Sequence, residues 1–156
     1  MAKFYVGKGL DDYLAQLGNL EFKSEDMVKR AVYPAAGMVA DAIKDNISSI
    51  PTRAPKGSDG LLEDQKRGLR EGLGVAPFKN ENGYINVKVG FDGYNQHKTK
   101  TYPQGQPNAM IARAMESGTS FSPKHRFVSD AVKRVKGKAE EIMRVELDKQ
   151  INKVMK

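Results

Sequence analysis

One stripe constrains this chain most: Val28, Ala31, Val32, Ala35, Val39, Ala42, Ile43 and Ile47 recur at three- and four-residue steps. That period is helical, and an apolar face of such length has to be buried. Ser24 is suited to cap the helix, with Glu25 and Asp26 in the first turn, where the helix dipole favours acids. Pro34 falls inside the stripe and removes one intrahelical hydrogen bond, so either the helix kinks there or two helices meet at Tyr33-Pro34. A second helical pattern runs from Pro123 to the end through Val128, Val132, Val135, Ala139, Ile142, Met143, Leu147, Ile151 and Val154. About 30 residues at 1.5 Å each make a rod of roughly 45 Å, longer than a domain of this size is wide. Its end, 143–156, is therefore expected to project and to pack on another surface.

Between the two helical patterns the chain reads as short pieces. Residues 51–60 are rich in proline, glycine and polar turn formers and form a loop. Asp59 is placed to cap a short helix over Leu61 to Glu71, with Leu62, Leu69 and Leu73 as its apolar contacts and Gly72 or Gly74 as its stop. Val75 to Phe78 reads as a strand, Glu81-Asn82-Gly83 as a tight turn, and Tyr84 to Gly90 as the hairpin partner, with Ile85, Val87 and Val89 facing the core. Residues 91–108 have no apolar period and read as a functional or disordered loop. Ala109 to Ser117 returns as a third strand, stops at Gly118, turns through Ser122-Pro123 and restarts as the final helix with Phe127 on its first turn. Upstream, Phe4-Tyr5-Val6 is a short strand or arm, and Leu10, Tyr13, Leu14 and Leu17 mark a short helix ended by Gly18. The expected fold is α+β, with a small antiparallel sheet of about three to four strands packed by two longer helices. A short helix precedes the hairpin, and residues 1–156 form a single domain with flexible loops at 51–60 and 91–108.

Composition narrows function mainly by exclusion. The chain has no cysteine, which removes disulfides, thiolate nucleophiles and Cys-type zinc sites, and its only imidazoles are His97 and His125. No apolar run reaches membrane-spanning length, and the start lacks a secretory pattern, so synthesis and residence in the cytosol are expected. Net charge is +7, and the excess lies late: Lys124 to Lys156 holds ten bases against five acids.

The search for chemistry returns little. Val6-Gly7-Lys8-Gly9 after a strand lacks the third glycine and the Lys-Ser/Thr of a nucleotide loop. Ser117-Gly118-Thr119-Ser120 lacks a G-x-S-x-G frame, and His125 has no orienting partner nearby in sequence. Neither histidine stands at metal-ligand spacing with the other or with a carboxylate pair, and the adjacent acids read as solvated faces. No catalytic residue, cofactor or metal site is expected, and the chain is read as a non-enzyme.

Several segments together resemble a family. Gly9-Leu10-Asp11-Asp12-Tyr13-Leu14 with Leu17, the alanine-rich helix running into Pro51 and Pro55, Gly60-Leu61-Leu62, Met115-Glu116-Ser117-Gly118-Thr119, and Phe127 to Ala131 follow one another in order. The arrangement is similar to the tail-completion, or head-tail joining, proteins of siphophages, the gp-ten-like group of lambdoid phages and prophages, over about residues 7–140. The resemblance implies a structural role in the virion tail or neck, reached from the host cytoplasm during assembly. It implies a homo-oligomeric ring, expected to be a hexamer, that caps the tail tube and meets tail-terminator and head-connector proteins. Glu116, Gly118, Thr119 and Phe127 would be its structural motif. The contacts between copies are expected in the loop, at Tyr94, His97, Lys98, Lys100 and Tyr102, and on the helix end, at Leu147 and Ile151. Phe127 is expected to be a buried anchor, and Glu116→Gln to be mild unless Glu116 pairs with a base. The competing reading is a basic cytosolic nucleic-acid-binding protein without sequence-specific readout, since no aromatic follows Phe127 and acids interleave the bases.

Overall fold

The final helical pattern and the stripe from Val28 to Ile47 become a pair of nearly equal helices. In a computed structural model, which describes residues 2–5, 21–54, 56–82 and 84–154, α1 spans Glu21–Ser49 and α4 spans Phe127–Val154. At 29 and 28 residues each is about 42 Å long. They pack antiparallel: at the C-terminal end of α1, Asn46 Nδ2 donates to the Phe127 carbonyl at 2.9 Å. Arg134 there donates to Asn46 Oδ1 at 2.9 Å and to the Ala42 carbonyl at 3.4 Å. Val28, Val32, Val39, Ile43 and Ile47 are buried on α1, and so are Ala31, Ala35 and Ala36, because the helix is covered by α4 and by the sheet. Buried alanines on both helices, Ala131 and Ala139 on α4, keep the backbones close.

One expectation about α1 is corrected, and of the two alternatives at Pro34 the split is removed. Ser24 lies within the helix, which begins at Glu21, so it does not cap it. Pro34 neither splits nor ends the helix. It sits on the exposed side, where the carbonyl left without a proline N–H can be hydrated. The far half of α4 nonetheless has a surface to pack on. Met143 and Leu147 are buried there, so the helix end beyond Met143 does not stand free at these positions.

The middle of the chain is α+β as expected, with one element changed in kind. α2 covers Glu63–Gly72, β2 Leu73–Val75, β3 Lys79–Glu81, β4 Tyr84–Phe91 and α3 Asn108–Ser117, and β1 is Ala2–Tyr5. β4 is the centre of an antiparallel sheet, with β1 on one edge and β2 then β3 along the other. Between the pairs Val75↔Val89 and Lys79↔Asn86, four steps on one strand face three on the other. The extra residue is a bulge at Ala76-Pro77-Phe78, where proline has no N–H for the ladder. The strand expected at Val75 to Phe78 is therefore divided. Val87 and Val89 are buried and Ile85 packs against the core. Asn82 takes a positive φ of 55° in the hairpin turn.

Ala109 to Ser117 is a helix, not a third strand. Ile111, Ala112 and Met115, its buried positions, stand at i, i+1 and i+4. Over so short a run this fits one helical face as readily as a strand, and packing decides. The short helix expected from Leu61 begins two residues later, and Asp59 does not cap it. Instead Gln65 Oε1 accepts the Leu62 N–H at 3.0 Å. Leu69 is fully buried and Gly72 ends the helix, as the sequence indicates. The segment Leu10 to Leu17 and the Val6-Gly7-Lys8-Gly9 turn lie outside the described residues.

Candidate functional site

The residues of the motif meet at one corner, where α3 hands over to α4. Gly118 ends α3 at φ 75°, and a Cβ there would stand 3.0 Å from the Lys124 Cβ and 3.1 Å from its nitrogen, so the turn requires glycine. Thr119 Oγ1 accepts the N–H groups of Phe121 and Ser122 at 3.2 and 3.1 Å, and the Thr119 N–H donates to the Ser122 carbonyl. The His125 N–H returns to the Met115 carbonyl at 2.8 Å. Phe127 is then delivered into the core at 4% exposure, tilted against Phe91 with ring centroids 5.8 Å apart.

Glu116 has a role that sequence reading did not assign. Its carboxylate accepts the Val128 N–H at 2.9 Å and the Ser129 N–H at 3.0 Å, and also the Ser129 hydroxyl. These are free amide donors in the first turn of α4, so a side chain from one helix caps the next and its charge meets the positive end of the helix dipole. No basic residue pairs with it among the described residues. The cap was hidden because its donor helix lies eleven residues downstream, beyond the usual capping distance. We expect Glu116→Ala to destabilise the fold by about 1–2 kcal/mol in urea unfolding, and Glu116→Gln, which keeps one acceptor oxygen, by less.

Beside this corner a groove of about 610 Å³ opens between α3, α4 and the sheet. Its floor is apolar, from Ile43, Val89, Phe91, Val128 and Val132. Arg113 and Lys133 stand on its lining, both exposed and without an ion pair among the described residues, while Glu116 is committed to the cap.

The loop 91–108 is built rather than featureless. Asn95 is its hub: Oδ1 accepts the His97 and Gln106 N–H groups at 3.0 Å each, and Nδ2 donates to Gln106 Oε1 at 3.2 Å. Gln65 of α2 donates to the same Gln106 oxygen at 2.8 Å, and Asn108 Nδ2 donates to the Asp92 carbonyl at 2.9 Å. Tyr94 projects from this base at 69% exposure. Lys98 and Lys100 are exposed and His97 is half-buried. Tyr102 is half-buried, with its hydroxyl on the Met110 sulfur at 3.2 Å. Of the two candidates on α4, Ile151 is half-buried and Leu147, at 1% exposure, is core in this protomer.

His125 does have a partner, Asp59, with Nε2 and Oδ1 2.6 Å apart across 66 residues of sequence. The pair ties the 51–60 loop to the corner. Ser122 Oγ is buried without a hydrogen-bond partner, so it does not join this pair. Lys66 is a buried amine whose ammonium donates to the Ile50 carbonyl at 2.8 Å and approaches Thr52 Oγ1 at 3.4 Å, closing the C-terminal end of α1. Among the described residues no three His, Asp or Glu side chains cluster as a metal site, and no helix is long and apolar enough to cross a membrane. No family model matches the chain, and no curated protein or solved structure matches it.

Proposed function

We propose that the chain is a tail-completion or head-tail joining protomer of a long-tailed phage, closing into a ring at the head-proximal end of the tail. The observation that supports this reading is the corner itself. The residues carrying the resemblance, Glu116, Gly118, Thr119 and Phe127, are joined in a single structural device that caps, turns and anchors the start of α4. Their roles concern packing, which suits a mechanical part. Ring closure needs two different patches on each copy. Light scattering and electron microscopy of the full chain at rising concentration, with and without tail tubes lacking their terminal ring, test the reading. Rings or tube attachment are expected. A strict monomer that leaves the tubes bare would overturn it.

A second reading has an observation of its own. From Lys124 to Lys138 there are six bases and one acid, whereas from Ala139 to Lys153 there are three bases and four acids. The positive charge is thus concentrated at the corner, where sequence-blind contact with DNA phosphates would fall. Such binding should weaken steeply between low and physiological salt, and the absence of any salt-dependent binding would remove it.

A further inference from the structure

The same uneven charge gives α4 two complementary ends. At the corner end is the apolar groove, with Arg113 and Lys133 free on its lining. On the distal half, Glu141, Val145 and Asp148 stand at i, i+4 and i+7, a spacing that puts all three on one stripe of the helix. Val145 is 51% exposed although apolar. Asp148 is half-buried and makes no ion pair among the described residues, and Glu141 has only an exposed contact with Arg144 at 3.7 Å. An exposed pair of this kind is worth little and can be exchanged for another.

We propose that the groove of one copy receives the distal stripe of α4 from the next copy, with Val145 on the apolar floor and Glu141 and Asp148 meeting Arg113 and Lys133. The two carboxylates are about 10 Å apart along the helix, so they can bracket a groove of this size. A copy cannot fill its own groove. Lys133 and Val145 are twelve residues apart on one rigid helix, about 18 Å, so the occupant is a second molecule. The contact joins unlike patches, the condition for a ring or a filament rather than a two-fold dimer. The inference rests on the ring reading above and specifies its interface.

Paired charge reversals test it. One variant carries Arg113→Glu with Lys133→Glu, the other Glu141→Lys with Asp148→Lys. All four sites are exposed or half-buried, and circular dichroism melts check that each variant folds. Alone, each variant should self-associate at least about tenfold more weakly than the parent chain by analytical ultracentrifugation, because like charges now face each other. Mixed one to one, they should recover association, since each groove again meets a stripe of opposite sign. Ala109→Trp, at an exposed position on the groove lining, should block association without changing charge. If the parent chain assembles and neither the reversals nor the tryptophan weakens it, the interface lies elsewhere and this inference fails while the ring reading stands. A parent chain that stays monomeric and ignores tail tubes overturns both.

Discussion

Phe127→Ala is expected to cost about 3–5 kcal/mol, a value typical of removing a buried phenylalanine. Phe127 is 4% exposed and sits at the first position of α4, where it touches Phe91 on the central strand. Its loss empties a buried site against that strand. The helix start cannot collapse into it freely, because Glu116 and the Phe127 carbonyl contact with Asn46 fix the backbone on both sides. For a chain of 156 residues, 3 kcal/mol lowers the melting temperature by about 6–12 °C. Equilibrium urea unfolding gives the free energy. A Phe127→Ala protein as stable as the parent would mean that the corner does not hold α4 to the sheet. Phe127→Leu, which keeps most of the apolar volume, should recover more than half of the loss.

The parts of this fold that were legible in the sequence are those with a long, unbroken period. The stripe from Val28 to Ile47 buries the face its spacing indicates, and the alternation at Ile85, Val87 and Val89 buries the two valines and packs Ile85 partly buried against the core. Phe127 could be read as core because an aromatic on the first turn of an amphipathic helix has nowhere else to go. What failed was short or long-range. The helix Asn108–Ser117 offers only ten residues, too few for a helical period to separate from a strand. The Glu116 cap, the Asp59 partner of His125 and the Gln65 bond to the loop each join residues far apart in the chain, and local rules cannot see them. The charge split along α4 was present in the sequence, but a total over the whole segment from Lys124 concealed it. The groove was not legible at all, because it depends on how α3 sits across the sheet. Leu147 shows the limit of reading a helix from its end: an apolar residue on a long helix reads as a contact between copies and is core.

Gly68 and Gly72 are four residues apart on α2, so they share a face, and that face meets the base of the 91–108 loop. A Cβ on Gly68 would come within 2.6 Å of both Asn108 Oδ1 and Asn95 Cβ. On Gly72 it would lie 2.3 Å from the Asp92 carbonyl and 2.5 Å from Asn108 Nδ2. Backbone and the two asparagines of the loop hub occupy the space, so nothing flexible can move aside. Gly68→Val should therefore force α2 away from the loop, costing about 1–3 kcal/mol in overpacking and adding the loss of the Gln65 to Gln106 hydrogen bond. The expected result is a lower unfolding midpoint together with faster amide hydrogen exchange at Asn95, His97 and Gln106, whose N–H groups are held in this network. Gly68→Ala should show the same pattern at smaller size, since one methyl group meets the same two asparagines. If Gly68→Val melts with the parent and those amides stay protected, the loop is not braced by α2. Loss of loop protection with the rest of the protein unchanged would show that the glycine face serves the loop alone, which bears on assembly because Tyr94 projects from that base.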